Sequence, residues 1–170
     1  MNGLLAVATA LVLGVPIPSV VYAQGTDFSG TWTLDRDASD LPQRRSGRGG
    51  RRSGPGIAVA ATTVINQSNN ALIIEQQSER TNRSITYRLD GSQTTNTRPR
   101  GNMTTASRWN GAVLVTTGSQ QFSTPRGDFT IEFTERRTLS NDGQTMTIES
   151  TRRTPRGNIT ITLIYNKSTT

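Results

Sequence analysis

Phe28-Ser29-Gly30-Thr31-Trp32-Thr33-Leu34 is the stretch on which the reading of this chain turns. Apolar or small residues alternate with Ser and Thr. That period of two places one set of side chains on one face of a β-strand and the second set on the other. About nine further strand patterns follow, each short, rich in Thr and bounded by turn residues. They cover about Ala58–Gln67, Ala71–Gln77, Ser84–Leu89, Gln93–Thr97, Met103–Trp109, Ala112–Phe122, Asp128–Leu139, Thr145–Thr154 and Asn158–Asn166. Thr suits these positions because its branched Cβ fits a pleated surface. No long stretch shows a helical period.

The turns decide how the strands connect. Asp90-Gly91, Asn110-Gly111 and Asn141-Asp142-Gly143 are tight hairpin signals, since Gly supplies the positive φ such turns need. Pro99-Arg100-Gly101-Asn102, Pro125-Arg126-Gly127-Asp128 and Pro155-Arg156-Gly157-Asn158 repeat one pattern between successive strands. There Pro presets φ and Gly opens positive φ. Short connections throughout predict an all-β, up-and-down antiparallel meander of about 8–10 strands. Such a meander closes into a barrel because closure removes exposed edges. Counting strands puts the three Pro-Arg-Gly turns, the Glu79–Arg83 connection and the long Asp35–Gly56 connection at one end. The tight, Arg-free turns fall at the other. The sequence therefore predicts a polarised barrel with one basic, loop-rich end.

Composition bounds the rest. The chain has 170 residues, one domain's worth. Residues 1–23 read as a signal peptide: Leu4–Ile17 is apolar and too short to span a bilayer, and Val21-Tyr22-Ala23 suggests a cut before Gln24. This predicts an exported protein, periplasmic or extracellular, with no transmembrane span after cleavage and a single domain over 24–170. There is no Cys, hence no disulfide, no zinc-thiolate site and no lipid acceptor. There is no His, which removes the commonest general base and the commonest metal ligand. Asp35, Asp37 and Asp40 lack the full oxygen set of a calcium loop and read as local caps. Glu132, Glu135 and Glu149 offer no reason to pair as glycosidase carboxylates. No metal, cofactor or catalytic residue is expected, and an enzyme is the least favoured class.

The formal net charge of +7 is unevenly spread: five arginines lie between Arg44 and Arg52, and removing them leaves +2. The segment 35–56 is thus an Arg/Gly-rich loop whose composition cannot form a packed core. Its arginines Arg44, Arg45, Arg48, Arg51 and Arg52, with Arg100, Arg126 and Arg156 of the turns, are the candidate anion-binding residues. Guanidinium forks suit carboxylate and phosphate groups. Behind a signal peptide, nucleic acid is not the expected partner.

The opening heptapeptide resembles the Gly-x-Trp first strand of the calycin superfamily, which includes lipocalins, fatty-acid-binding proteins and avidins. The ordered set of Gly30-Thr31-Trp32, Asp90-Gly91, Trp109-Asn110-Gly111, Leu139-Ser140-Asn141-Asp142-Gly143 and Tyr165-Asn166-Lys167 is similar to small secreted bacterial proteins with a lipocalin-like domain. The resemblance covers most of residues 26 to 167 and implies a lipocalin-like barrel. It makes Gly30 and Trp32 a structural signature and the basic end the mouth of a cavity. It further implies a late cation stacked on the first-strand Trp, with Arg152, Arg153 and Lys167 as candidates. Two functions stay open. One is non-catalytic binding of a small hydrophobic or amphipathic ligand, with anionic ligands among the candidates. The other is a scaffold whose Arg-rich loop grips an anionic envelope polymer.

Overall fold

The structure, a computed structural model, describes residues 26–41, 59–77, 82–99, 101–125, 127–154 and 157–168. Ten strands follow one another: β1 (Gly30–Asp35), β2 (Thr62–Gln67), β3 (Ala71–Gln77), β4 (Arg83–Arg88), β5 (Gln93–Arg98), β6 (Gly101–Asn110), β7 (Val113–Thr124), β8 (Gly127–Leu139), β9 (Thr145–Thr154) and β10 (Gly157–Lys167). They form one antiparallel sheet in the order β4-β3-β2-β1-β10-β9-β8-β7-β6-β5. Sequence neighbours are therefore spatial neighbours, and the first strand is zipped to the last. The result is the up-and-down all-β barrel that the alternation and turn signals predict. No helix among the described residues is long and apolar enough to cross a membrane.

Closure falls between β4 and β5, the two ends of that order. There a side chain stands in for a strand. The Thr86 amide donates to Asn96 Oδ1 at 2.9 Å, and Asn96 Nδ2 donates back to the Thr86 carbonyl at 2.9 Å. The carboxamide reproduces the donor–acceptor pair of a peptide group, so the backbone of Thr86 is satisfied.

The strands are unequal. β1 to β5 have six or seven residues, whereas β6 to β10 have ten to thirteen. β1 pairs only with the Ile164–Lys167 end of β10, so the first half of β10 rises past it. This explains where the alternation and the burial part company. Ile131 and Phe133 of β8, and Ile161, Leu163 and Tyr165 of β10, are buried as their phase requires. Phe129 and Ile159 share that phase yet are 41% and 49% exposed, because they stand on the projecting parts of their strands. Phe129 is partly covered by Phe122, stacked on it at 5.0 Å between ring centroids.

The opposite end is sealed. Trp32 is fully buried and its Nε1 donates to the Phe28 carbonyl at 2.9 Å. Phe28, also fully buried, stacks on Trp109 at 5.8 Å. Lys167 Nζ lies 5.3 Å from the Trp32 ring centroid, within cation–π range. Of the three cations considered from sequence, Lys167 takes this place. Gly30 makes room for it: its φ is +135°, and a Cβ there would fall 2.7 Å from Lys167 Cε.

Asn96→Ala should lower stability by about 1–3 kcal/mol, because Thr86 loses both partners. Asn96→Asp should also destabilise, since it keeps the acceptor and loses the donor. Thr97→Ala, exposed on the same strand, should change it by less than ~0.5 kcal/mol. Urea unfolding monitored by tryptophan fluorescence, compared at constant m, reads all three.

Candidate binding site

The barrel interior is not filled. A cavity of about 350 Å³ lies between the sealed end and the end carrying the β3–β4, β5–β6, β7–β8 and β9–β10 connections. That volume is the share of roughly a dozen water molecules in the liquid. It sits at the lower end of small-molecule sites. Its apolar walls include Ile85, Met103, Phe133, Ile148 and Leu163. Phe133 can approach the neighbouring strand because its cross-strand partner is Gly118, where a Cβ would fall 2.9 Å from the Phe133 ring and 2.5 Å from the Thr104 carbonyl oxygen.

Into these walls the strand phase delivers charge. Ile131, Phe133, Glu135 and Arg137 stand on one face of β8, two residues apart, and that face is the interior. Arg137 is 4% exposed. Its Nη2 donates to Glu135 Oε2 at 2.7 Å, and its Cζ lies 5.0 Å from the Tyr87 ring centroid. Burial is the strongest influence on Arg137 and opposes its charge. Glu135 and Tyr87 together outweigh it and hold the guanidinium above its ordinary pKa. Arg152, in the phase of Met146 and Ile148 on β9, reaches over the Phe133 ring at 5.9 Å. Arg98, at the end of β5, also lines the cavity, and Arg83 stands exposed at its rim. Burial lowers the pKa of Arg98 and Arg152, although both guanidinium groups remain cations at neutral pH.

Several of these donors have no partner. Arg137 Nε and Nη1, Arg152 Nε and Ser150 Oγ are buried and make no hydrogen bond. All three residues line the cavity. Buried polar groups are ordinarily satisfied, and a charged group left short of partners costs more than a neutral one. Four such atoms on the wall of one cavity describe a site for acceptor oxygens.

None of Arg44, Arg45, Arg48, Arg51, Arg52, Arg100, Arg126 and Arg156 is among the described residues. Gly30 and Trp32 lie at the sealed end, away from the cavity lining. The cavity cations are instead strand residues that the turn-centred reading passed over. Strand phase was the available signal: Arg137 and Glu135 continue the apolar series of Ile131 and Phe133. The other two glutamates face outward, Glu132 with Arg153 at 3.6 Å and Glu149 with Arg136 at 3.8 Å. Asp35 caps its own turn, its Oδ1 accepting from the amides of Asp37 and Ala38 at 3.1 and 3.0 Å. Among the described residues, no group of three or more acidic side chains is placed to hold a metal ion.

No family model matches the chain, and no curated protein matches it in sequence. Solved structures do. A secretary abundant heat soluble (SAHS) protein from Ramazzottius varieornatus aligns over 86% of this chain and 100% of its own, with a TM-score of 0.54 and 12% identity. The REP1-NXSQ fatty acid transporter aligns over 84% of this chain and 97% of its own, also with a TM-score of 0.54 and 12% identity. At that identity the likeness speaks to fold alone, and the fold is a nearly closed, all-β antiparallel barrel of ten strands.

The interior has a titration signature. Tyr165 is buried, its hydroxyl donates to the Ala60 carbonyl at 3.1 Å, and burial pushes its pKa up to about 12. Burial likewise raises that of Tyr87. A phenol whose folded pKa exceeds its unfolded value of about 10 supports folding fully below that value and loses the contribution as pH rises. Stability should therefore be flat through pH 9 and fall on the order of 2 kcal/mol between pH 10 and 12. In Tyr165→Phe that fall should shrink. Denaturant melts across this range give the answer directly.

Proposed function

We propose that this protein is a non-catalytic binding protein that holds a small amphipathic ligand inside the barrel, with an anionic group against the interior arginines. One observation carries the reading: Arg137 is buried in the wall of a cavity lined by both apolar and polar side chains, with two of its nitrogens unpartnered. The two free nitrogens of a guanidinium so placed are stabilised by an acceptor anion, while Ile85, Met103, Phe133 and Leu163 accommodate an apolar body. One of the two similar structures is named a fatty acid transporter. The ligand class proposed here rests on the cavity and not on that name. Export, read from residues 1–23, is part of the same proposal; those residues lie outside the described set.

Displacement of an anionic fluorescent probe, 1-anilinonaphthalene-8-sulfonate, by straight-chain alkyl anions tests the proposal. The unmodified protein should bind the probe with a blue shift and release it to the alkyl anion. Arg152→Ala should weaken binding about 10–100-fold, the cost of one hydrogen bond to a charged group, while leaving the far-ultraviolet spectrum intact. Arg152→Lys should recover part of the loss. If the alkyl anion neither binds nor displaces the probe, and native mass spectrometry of the full chain finds none retained, the barrel is not a carrier of this kind.

A further inference from the structure

We infer that the anionic group this site is built for is a dianion, a phosphate monoester on an apolar chain, and not a monoanionic carboxylate. The inference deepens the binding function proposed above and rests on it. Charge counting inside the cavity carries it. Among the described residues, Arg98, Arg137 and Arg152 bring three positive charges to the lining and Glu135 the single negative one, a surplus of two. Arg83 is exposed at the rim, where water screens it, and is left out of the count.

The surplus is localised. Glu135 is committed to Arg137 at 2.7 Å. Among the described residues, neither Arg98 nor Arg152 has a carboxylate within ion-pair distance; the four ion pairs present involve other arginines. Both feel Glu135 only at longer range, and burial works against both charges. A carboxylate would neutralise one of them and leave the second cation desolvated. A phosphate monoester at neutral pH carries close to two charges and three acceptor oxygens. Four buried donors, Arg137 Nε and Nη1, Arg152 Nε and Ser150 Oγ, are unpartnered, enough to engage all three oxygens. Ser150 adds a neutral donor, 1% exposed, on the same face of β9 as Arg152. The apolar chain would lie toward Phe122, which lines the cavity and stacks on the exposed Phe129.

Four probes separate the alternatives at pH 8, each below its micelle-forming concentration: dodecyl phosphate, dodecyl sulfate, dodecanoate and inorganic phosphate. Dodecyl phosphate should bind at least tenfold more tightly than dodecyl sulfate or dodecanoate, and inorganic phosphate far more weakly than any of them. Arg98→Gln and Arg152→Gln should each reduce the preference of phosphate over sulfate toward unity. Lowering the pH to 5 should do the same, because the ester's second ionisation lies near about pH 6. The groups facing the head position are Tyr87, Arg98, Glu135, Arg137, Arg152 and Tyr165. None of the arginines or tyrosines changes charge in that interval, and dodecyl sulfate, fixed at one charge, reports any contribution from Glu135. Equal or tighter binding of dodecanoate or dodecyl sulfate at pH 8 overturns the dianion inference while leaving the binding function standing. Binding of inorganic phosphate as tight as that of dodecyl phosphate overturns the monoester assignment in favour of the free ion. Failure of all three alkyl anions to bind overturns this inference and the binding function together.

Discussion

The buried ion pair of Arg137 and Glu135 is the constraint around which the interior is organised. Moving a guanidinium out of water costs several kcal/mol, and the cost is met only where a partner is close and well aligned. Here the partner is two residues away on the same strand face, so β8 carries both members and needs no neighbour to assemble them. Tyr87 from β4, across the barrel, presents its ring to the same guanidinium. Once that pair occupies the interior, the surrounding wall cannot collapse onto it as an apolar core would. The cavity is the space a charged pair keeps open. The apolar residues that remain are divided between the sealed end and the walls.

The sealed end shows the complementary solution. Trp32, Phe28 and Trp109 fill it with aromatic area, and Lys167 contributes a cation outside the core rather than within it. A barrel with a plugged end and a charged, partly empty middle has directional access. A bound molecule is expected to enter from the end where the longer strands project. Phe122 and Phe129 stand there, inward in phase but beyond the shorter strands, and they extend the apolar wall past the cavity itself.

The architecture was largely legible in the sequence because it depends on local signals. Alternation marks each strand, and Asp-Gly, Asn-Gly and Pro-Arg-Gly mark the reversals. The terminal residues of strands were less so, since the extent of β8 and β10 depends on how far their neighbours reach. The site was hidden for a different reason. Charged residues on a strand are outward far more often than inward, so nothing local marks Glu135, Arg137 and Arg152 as cavity residues except their sharing phase with buried Phe133 and Ile148. Asn96 was invisible in a stronger sense: its role exists only because β4 and β5 terminate the sheet order, a property of the closed chain and not of any window within it.

The pairing of β1 with β10 has a consequence for synthesis. A strand that begins at residue 30 finds one of its two neighbours only when residue 167 has been made. Until the last strand leaves the ribosome, Trp32 has no Lys167 to cover it and the sheet has a second open edge. The nascent chain therefore cannot complete its barrel vectorially, segment by segment. Folding is therefore committed only once β10 is available, and slowed by the distance in sequence that β1 and β10 have to close. Loss of β10 should thus be far more damaging than its length suggests, because it removes the partner of both β1 and β9.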